Sequence, residues 1–315
     1  MKQLKKPFFS DVISLLRTDY HRKKKGKKMR IKKHDKRGRI KSNLLIEFRR
    51  QDITSFSGLE LLRRYFYLIG LQKRIRHVFQ EHQFRGDYSI VDLIIALIVL
   101  WLTGGRRVSH LGWIKDDPLV KRICELSRLP SHHSISRLLK QFTNDSLECL
   151  TELNSELVLE KLGDLDLPRI TLDFDGTVIS CGDTVAWAAR GYNPHNRHAK
   201  SYYPLLCHVA QTGHFLHVKN RPGNRHDSKG GALGVIRNCI DQIRLSCPGV
   251  KIEVRLDAAF FTREIVEFLM KSKVEFAVKM PMWKRTGIKN VINARKRWKR
   301  GTDRLSWFRH RLFFE

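Results

Sequence analysis

Acidic residues are scarce in this sequence. The 315-residue chain has 61 Lys and Arg against 31 Asp and Glu, which gives a formal net charge of +30 at pH 7. An excess of this size favours a polyanionic partner, either a nucleic acid or an acidic membrane surface. Hydrophobic residues make up 42% of the chain, which is enough to bury a core and argues against wholesale disorder.

Cysteine patterns that hold zinc or build a disulfide framework are also missing. None of the six cysteines belongs to a C-x-x-C pair. Buried or free thiols in a reducing cytoplasm explain these cysteines better than a zinc site or a set of disulfides.

No apolar run is long enough to cross a membrane, which takes about 20 residues. The longest, IVDLIIALIVLWLT at 90–103, has 14 residues and contains Asp92, so we interpret it as a buried helix. The N-terminal MKQLKKPFFSDVISLLR lacks an uninterrupted apolar segment and a small-residue cleavage site, so no secretory signal is expected. These absences favour a cytoplasmic protein with no membrane partner.

Positive charge is concentrated near the N-terminus. Residues 21–41 hold 13 Lys or Arg and one acid, Asp35, and no apolar face can be drawn through them. We interpret residues 1–51 as a basic, largely disordered arm. Such an arm contacts phosphates without sequence preference, through the release of counterions.

Residues 52–160 show the apolar spacing of helices and predict an all-helical domain, which we interpret as a DNA-binding domain. Apolar residues recur there every three or four positions, beginning with Leu59, Leu62, Phe66 and Ile69.

One segment of this region, LPSHHSISRLLKQF at 129–142, resembles the basic helix of a helix-turn-helix. Its helix start is Ser131 or Ser134, and the basic side chains of Arg137 and Lys140 lie off its apolar face. We therefore name Arg137 and Lys140 as candidate DNA-binding residues. An ordinary amphipathic helix of a bundle has the same periodicity, and the sequence does not separate the two interpretations.

After residue 168 the apolar period changes from helical spacing to alternation. The pattern predicts a strand, a hairpin, a helix, a strand, a helix and a strand, at 170–175, 202–220, 228–245, 251–257, 262–272 and 274–280. This order is typical of an α/β layer fold. Asp227 or Ser228 is the expected N-cap of the first helix. The basic, aromatic stretch 283–315 has no clear pattern.

Two aspartates stand at the ends of two of these strands. Asp175 ends ITLDFD and Asp257 ends KIEVRLD. A right-handed crossover can place the two strands side by side and parallel, so that both end at the same edge of the sheet. Carboxylates at such an edge are hard oxygen ligands suited to Mg²⁺ or Mn²⁺. Asp175 and Asp257 are therefore candidate catalytic and metal-binding residues.

The other aspartate of the first strand, Asp173, shares a face with Asp175 and lies deeper in the strand. A role in supporting the metal ligands, or a purely structural one, suits Asp173 better than a role as a ligand. An ordinary turn residue is the alternative for each strand-end aspartate, because its side chain bonds backbone N–H groups. For Asp175 alone, which precedes Gly176, both interpretations stay open, and the second strand-end aspartate favours the metal site.

Four stretches of the second half form a specific combination. They are LDFDGT at 172–177, GYNPH at 191–195, YYPLLCHVAQTGHFLHVKNRPGN at 202–224 and VRLDAAFF at 254–261. Together they resemble insertion-sequence transposases of the DDE type, in the branch called transposase DDE domain group 1. The resemblance covers 168–282 and, more loosely, 52–145. It implies a ribonuclease H-like catalytic domain at 168–282, with a mixed sheet and flanking helices.

The resemblance also implies an activity, the metal-dependent cleavage and strand transfer of transposon ends. In such enzymes one catalytic aspartate precedes a small residue and Thr, as Asp175 does, and another precedes small residues and Phe, as Asp257 does. Two Mg²⁺ or Mn²⁺ ions, a homodimer on DNA and association with the nucleoid are implied as well. Arg221 and Asn224 of the R-P-G-N turn are candidate DNA-binding residues, although a tight turn with a surface arginine explains them equally.

The third carboxylate of the family is not found. It is a Glu within a Tyr-x2-Arg-x3-Glu-x6-Lys signature, and no Tyr follows Tyr203. The four glutamates after Asp257 lack that context: Glu264, Glu267, Glu275 and Glu315. The stretch 283–315 resembles the start of the insertion that precedes the family's Glu. We therefore expect a truncated or degenerate transposase. The alternative is a catalytically incomplete DNA-binding remnant that acts as an inhibitor or has no activity.

Overall fold

A computed structural model describes residues 53–194, 196–282, 287–302 and 305–310. The chain divides into two compact units between Thr143 and Asn144. The expected basic arm at 1–51 and the residue Glu315 lie outside the described residues.

The described part of the first unit is helical, as predicted. Its helices are α1 (Leu59–Leu68), α2 (Leu71–Val78), α3 (Ile90–Leu102), α4 (Leu111–Ile114), α5 (Pro118–Cys124) and α6 (His132–Leu139). Helix α3 is the apolar run of the sequence, and eight of its 13 residues are buried. Its interpretation as a buried helix is confirmed. None of the helices in the described ranges has the length and apolarity that a membrane crossing needs.

Asp92, which interrupts this apolar run, completes a capping box at the start of α3. Ser89 Oγ accepts a hydrogen bond from the Asp92 N–H at 3.2 Å, and Asp92 Oδ2 accepts one from the Ser89 N–H at 2.9 Å. Both N–H groups have no helical partner at this helix end, so the two side chains satisfy them reciprocally.

We expect Ser89→Ala to lower the free energy of unfolding by about 1 kcal/mol, because the Asp92 N–H loses its acceptor. Urea denaturation followed by circular dichroism measures the loss. The matched control is Ser127→Ala, an exposed serine outside the helices, with an expected change below about 0.5 kcal/mol. Equal losses in the two variants would contradict the capping role.

The second unit is built on a five-stranded sheet. Its strands are β1 (Arg169–Gly176), β4 (Leu205–Val209), β5 (Phe215–Lys219), β6 (Lys251–Leu256) and β7 (Glu275–Val278). They lie in the order β5-β4-β1-β6-β7 across the sheet. Strands β1, β6 and β7 are parallel, whereas β4 runs antiparallel to both β1 and β5. Two short strands, β2 (Ile179–Ser180) and β3 (Ser201–Tyr202), pair separately. The predicted mixed sheet is confirmed.

One apolar core joins this sheet to three helices, α7 (Asn144–Leu165), α8 (Ala232–Ser246) and α9 (Arg263–Lys271). The alternating residues of β1 supply its centre, since Ile170 and Leu172 are fully buried. Val158 and Leu162 place helix α7 in the same core. The helix therefore belongs to the second unit, and the boundary between units lies at 143/144 rather than at the expected 160.

Helix α8 begins at Ala232, four residues after the predicted start. Gly230 and Gly231 precede it with φ angles of 64° and 83°. This left-handed conformation is not helical, so the helix cannot begin before Ala232. The prediction that Asp227 or Ser228 caps this helix was wrong, because Gly231 holds the N-cap position.

The stretch that the sequence left unassigned contains a helix and a hairpin within its described residues. They are α10 (Ile288–Ala294), β8 (Lys299–Thr302) and β9 (Leu305–Trp307).

Candidate active site

Strands β1 and β6 bring Asp175 and Asp257 to the same edge of the sheet. The register pairs Phe174 with Leu256, so the two aspartates follow at equivalent positions of adjacent parallel strands. Neighbouring strands lie about 4.8 Å apart, so the two aspartates start from adjacent backbone positions. The predicted parallel, side-by-side placement of these two strands is confirmed.

The Asp175 carboxyl group lies in a negatively charged environment. Partial burial raises its pKa, and the N–H of Gly176, which donates to Asp175 Oδ1 at 2.8 Å, lowers it. The carboxylates of Asp257 and Asp227 raise the pKa further, and His208 lowers it. The carboxylates of Asp257 and Asp227 therefore disfavour the charged form of Asp175, and a bound cation would offset that effect.

Asp257 follows β6 directly and caps a single 3-10 turn at Ala258–Phe260. Its Oδ1 accepts a hydrogen bond from the Ala259 N–H at 2.9 Å, and Phe260 is fully buried behind the turn. The turn role that the sequence left open is therefore present. It uses one oxygen of the carboxylate and leaves Oδ2 without a hydrogen-bond partner among the described residues.

Asp173 is held by two basic side chains. Both of its oxygens accept hydrogen bonds from the Arg255 guanidinium, and His208 Nε2 lies 3.3 Å from Asp173 Oδ2. A carboxylate with both oxygens engaged in this way is a poor metal ligand. These contacts fit the supporting role expected for Asp173, which stays a prediction.

Arg221, a candidate DNA-binding residue, is only 2% exposed. Its Nε donates to the Tyr203 carbonyl oxygen at 3.0 Å, and Nη2 donates to Asp227 Oδ1 at 3.1 Å. Nη1 donates to the carbonyl oxygens of His226, Asp227 and Lys229 at 3.2–3.3 Å. All three guanidinium nitrogens are thus engaged within the protein, and a direct DNA contact through this side chain does not fit its burial.

Asp227 is a site residue that the sequence analysis missed. It is 6% exposed, and its Oδ2 accepts a hydrogen bond from the Tyr203 hydroxyl at 2.7 Å. Burial, together with the Asp227 carboxylate, raises the pKa of Tyr203, so the hydroxyl stays protonated as a donor at neutral pH. A signal was available, because Asp227 is the one acid of the basic loop RPGNRHDSK at 221–229.

The other candidate DNA-binding side chains, Asn224, Arg137 and Lys140, are exposed. Arg137 lies on helix α6, whose predicted start is confirmed, since Ser131 caps it and accepts a hydrogen bond from the Ser134 N–H at 3.2 Å. Exposure permits a contact with DNA, and the contact itself stays a prediction.

The carboxylate oxygens at this edge are suitable ligands for a hard cation. Asp175 and Asp257 each keep one oxygen with no hydrogen-bond partner in the described ranges, and oxygen is the ligand atom that Mg²⁺ and Mn²⁺ prefer. Across the part of the chain that the structure describes, no three His, Cys, Asp or Glu side chains form a metal-ligand group. Asp175 and Asp257 are therefore the residues at this edge that could hold such an ion.

A known family accounts for this arrangement. The sequence pattern of the family described as transposase DDE domain group 1 matches residues 36–303, which is most of the chain. The chain belongs to this family of DDE transposases. The resemblance seen in the sequence is thereby confirmed, and Asp175 and Asp257 both lie within the matched range.

Solved transposases show weaker likeness to this DDE transposase chain. The piggyBac transposase in a synaptic complex with hairpin DNA is 13% identical, with a TM-score of 0.38 over 76% of this chain and 54% of that one. The Mos1 transposase in a paired-end complex with the left transposon end is 12% identical, with a TM-score of 0.26 over 62% of this chain and 59% of that one. The chain thus spans just over half the length of these two proteins. No curated protein matches it. The identification rests on the family match.

Proposed function

We propose that this chain is a DNA transposase that cleaves phosphodiester bonds at transposon ends and transfers the ends to target DNA. The observation that carries the proposal is the equivalent placement of Asp175 and Asp257 at the ends of β1 and β6. Family membership supports DNA as the substrate, and the net charge of +30 suits a polyanion. A homodimer on DNA and association with the nucleoid are part of the same proposal.

Asp175 and Asp257 are the residues that would hold Mg²⁺ or Mn²⁺. When bound there, such an ion would supply activation of a hydroxyl for in-line attack on phosphorus and stabilisation of the leaving oxygen. Asp173, bound to Arg255, would keep the neighbouring part of β1 in place. A two-metal site needs a further carboxylate. Glu267 is paired with Arg263 and Glu275 with Arg169, so neither is a free ligand.

A second candidate function is a DNA-binding remnant that occupies transposon ends without cutting them, or that inhibits a full-length copy. The two-carboxylate set at the edge of the described sheet favours it, because two-metal catalysis requires both ions in register with the scissile phosphate. Misplacement of a reacting group by ~1 Å can cost about 100-fold in rate. We therefore expect cutting by this chain to be slow.

The test is a cleavage assay with Mn²⁺ on DNA that carries the element's own ends. Cutting by the chain that is lost in Asp175→Asn supports the transposase. The matched control is Asp183→Asn, which removes an exposed acid paired with Arg190 at 3.6 Å and should cut like the unchanged chain. Binding of the ends with no cutting at any Mn²⁺ concentration would support the remnant and rule out the transposase.

The basic arm gives a separate prediction about DNA affinity. Deletion of 21–41 should weaken binding to all DNA sequences alike and flatten the dependence of log K on log salt, since each lost phosphate contact removes about 0.9 from the slope. Fluorescence anisotropy at several salt concentrations measures the slope. A scrambled 21–41 with the same composition should bind like the unchanged chain. An unaltered slope after the deletion would show that the arm does not contact phosphate.

A further inference from the structure

A cluster of three polar side chains lies beside the candidate metal site, with Arg221 and Asp227 buried and Tyr203 partly buried. The Arg221 guanidinium and the Asp227 carboxylate form an ion pair at 3.1 Å, with only 2% and 8% of the side chains exposed. The Tyr203 hydroxyl donates to the second oxygen of Asp227, and the guanidinium carbon of Arg221 lies 5.3 Å from the centre of the Tyr203 ring. Burying two charges costs desolvation energy that apolar side chains would avoid, so such a pair contributes defined geometry more than stability.

The cluster lies directly against the backbone that follows Asp175. A Cβ atom placed on Gly176 would meet Asp227 Oδ1 at 2.2 Å and Tyr203 Cζ at 2.5 Å. Only a residue without a side chain allows this approach. The Gly176 N–H is also the group that donates to Asp175 Oδ1, so the cluster supports the peptide that orients the Asp175 carboxylate.

The same cluster holds the loop 221–229 in place. The guanidinium of Arg221 closes this loop through three carbonyl oxygens, and the Tyr203 N–H donates to the Arg221 carbonyl oxygen at 2.7 Å. The loop exposes Arg225 and Lys229 to solvent. An internal charge pair thus fixes a loop whose surface is basic.

We propose that the Arg221–Asp227–Tyr203 cluster is a positioning device that fixes the end of β1, and with it Asp175, for metal binding. Asp227 acts through Gly176 and not as a ligand, because both of its oxygens are engaged. The inference rests on the proposed function, since it assigns a role at that site.

The test compares Mn²⁺ affinity by isothermal titration in the unchanged chain, Asp227→Asn and Tyr203→Phe, at a temperature well below the melting point of each. Loss of a residue that supports a metal ligand costs about 10–100-fold in affinity, and we expect a weakening in this range for Asp227→Asn. Tyr203→Phe removes one hydrogen bond, keeps the ring, and should weaken binding less. Ile243→Ala, a fully buried position on α8, is the control for general loss of stability and should bind Mn²⁺ unchanged.

Hydrogen exchange at the amides of Gly176 and Thr177 separates the two proposals. Faster exchange in Asp227→Asn than in Ile243→Ala supports the positioning role. If the unchanged chain binds no Mn²⁺, that finding overturns the metal site and leaves the positioning role to be judged by the exchange rates. If Asp227→Asn keeps both the Mn²⁺ affinity and the slow exchange, the cluster does not position Asp175 and the inference is wrong.

Discussion

Replacement of Arg221 by methionine lowers the free energy of unfolding by about 3–5 kcal/mol, because the variant leaves the Asp227 carboxylate buried without its cation. Arg225 lies in the same loop and is exposed. Arg225→Met is therefore the matched control, with an expected change below about 0.5 kcal/mol. Urea denaturation, followed by intrinsic fluorescence, measures both variants.

The comparison decides what the arginine of the R-P-G-N turn does. An arginine that contacts only DNA leaves the free protein as stable as before when it is replaced, whereas an internal anchor does not. If Arg221→Met costs no more than Arg225→Met, Arg221 does not anchor the loop, and the DNA contact inferred from the sequence becomes the better explanation.

Replacement of Asp257 by asparagine is expected to remove Mn²⁺ binding and leave stability almost unchanged. The asparagine amide oxygen can still accept the hydrogen bond from the Ala259 N–H, and asparagine caps helix ends as well as aspartate does. The variant loses the charge and the hard ligand oxygen. Loss of a residue that only supports a metal ligand typically lowers metal affinity by about 10–100-fold. Loss of Asp257 as a ligand should lower the Mn²⁺ affinity by more than that.

Alanine at the same position separates the two roles of Asp257. Asp257→Ala loses the cap as well as the charge, so we expect a further loss of about 1 kcal/mol in the free energy of unfolding. Isothermal titration with Mn²⁺ and thermal unfolding of the same samples measure the two effects. Undiminished Mn²⁺ affinity in Asp257→Asn would show that this aspartate is a turn residue alone.

The strands and the meeting of the two aspartates were predictable because they depend on local patterns. Alternation along ITLDFD and KIEVRLD identifies β1 and β6, and the handedness of crossovers brings them side by side. Each step uses a rule that holds within a few residues or between consecutive elements.

The burial of Arg221 was not predictable in the same way. Whether an arginine faces water depends on partners that the fold supplies, here the Asp227 carboxylate and the carbonyl oxygen of Tyr203, which lies 18 residues away in sequence. The same limit applies to helix α7. Its periodicity identifies a helix, and only the buried contacts of Val158 and Leu162 show that it joins the core of the sheet.

The order of the sheet has a consequence for how the site responds to thermal motion. Strands β1 and β6, which carry Asp175 and Asp257, each have a hydrogen-bonded neighbour on both sides, whereas β5 and β7 form the margins. Local opening begins where backbone hydrogen bonds are exposed and reaches the central strands only near the free energy of complete unfolding. Fraying of the outer strands β5 and β7 should therefore not change the distance between Asp175 and Asp257. We expect that distance to stay constant on warming until the whole unit unfolds.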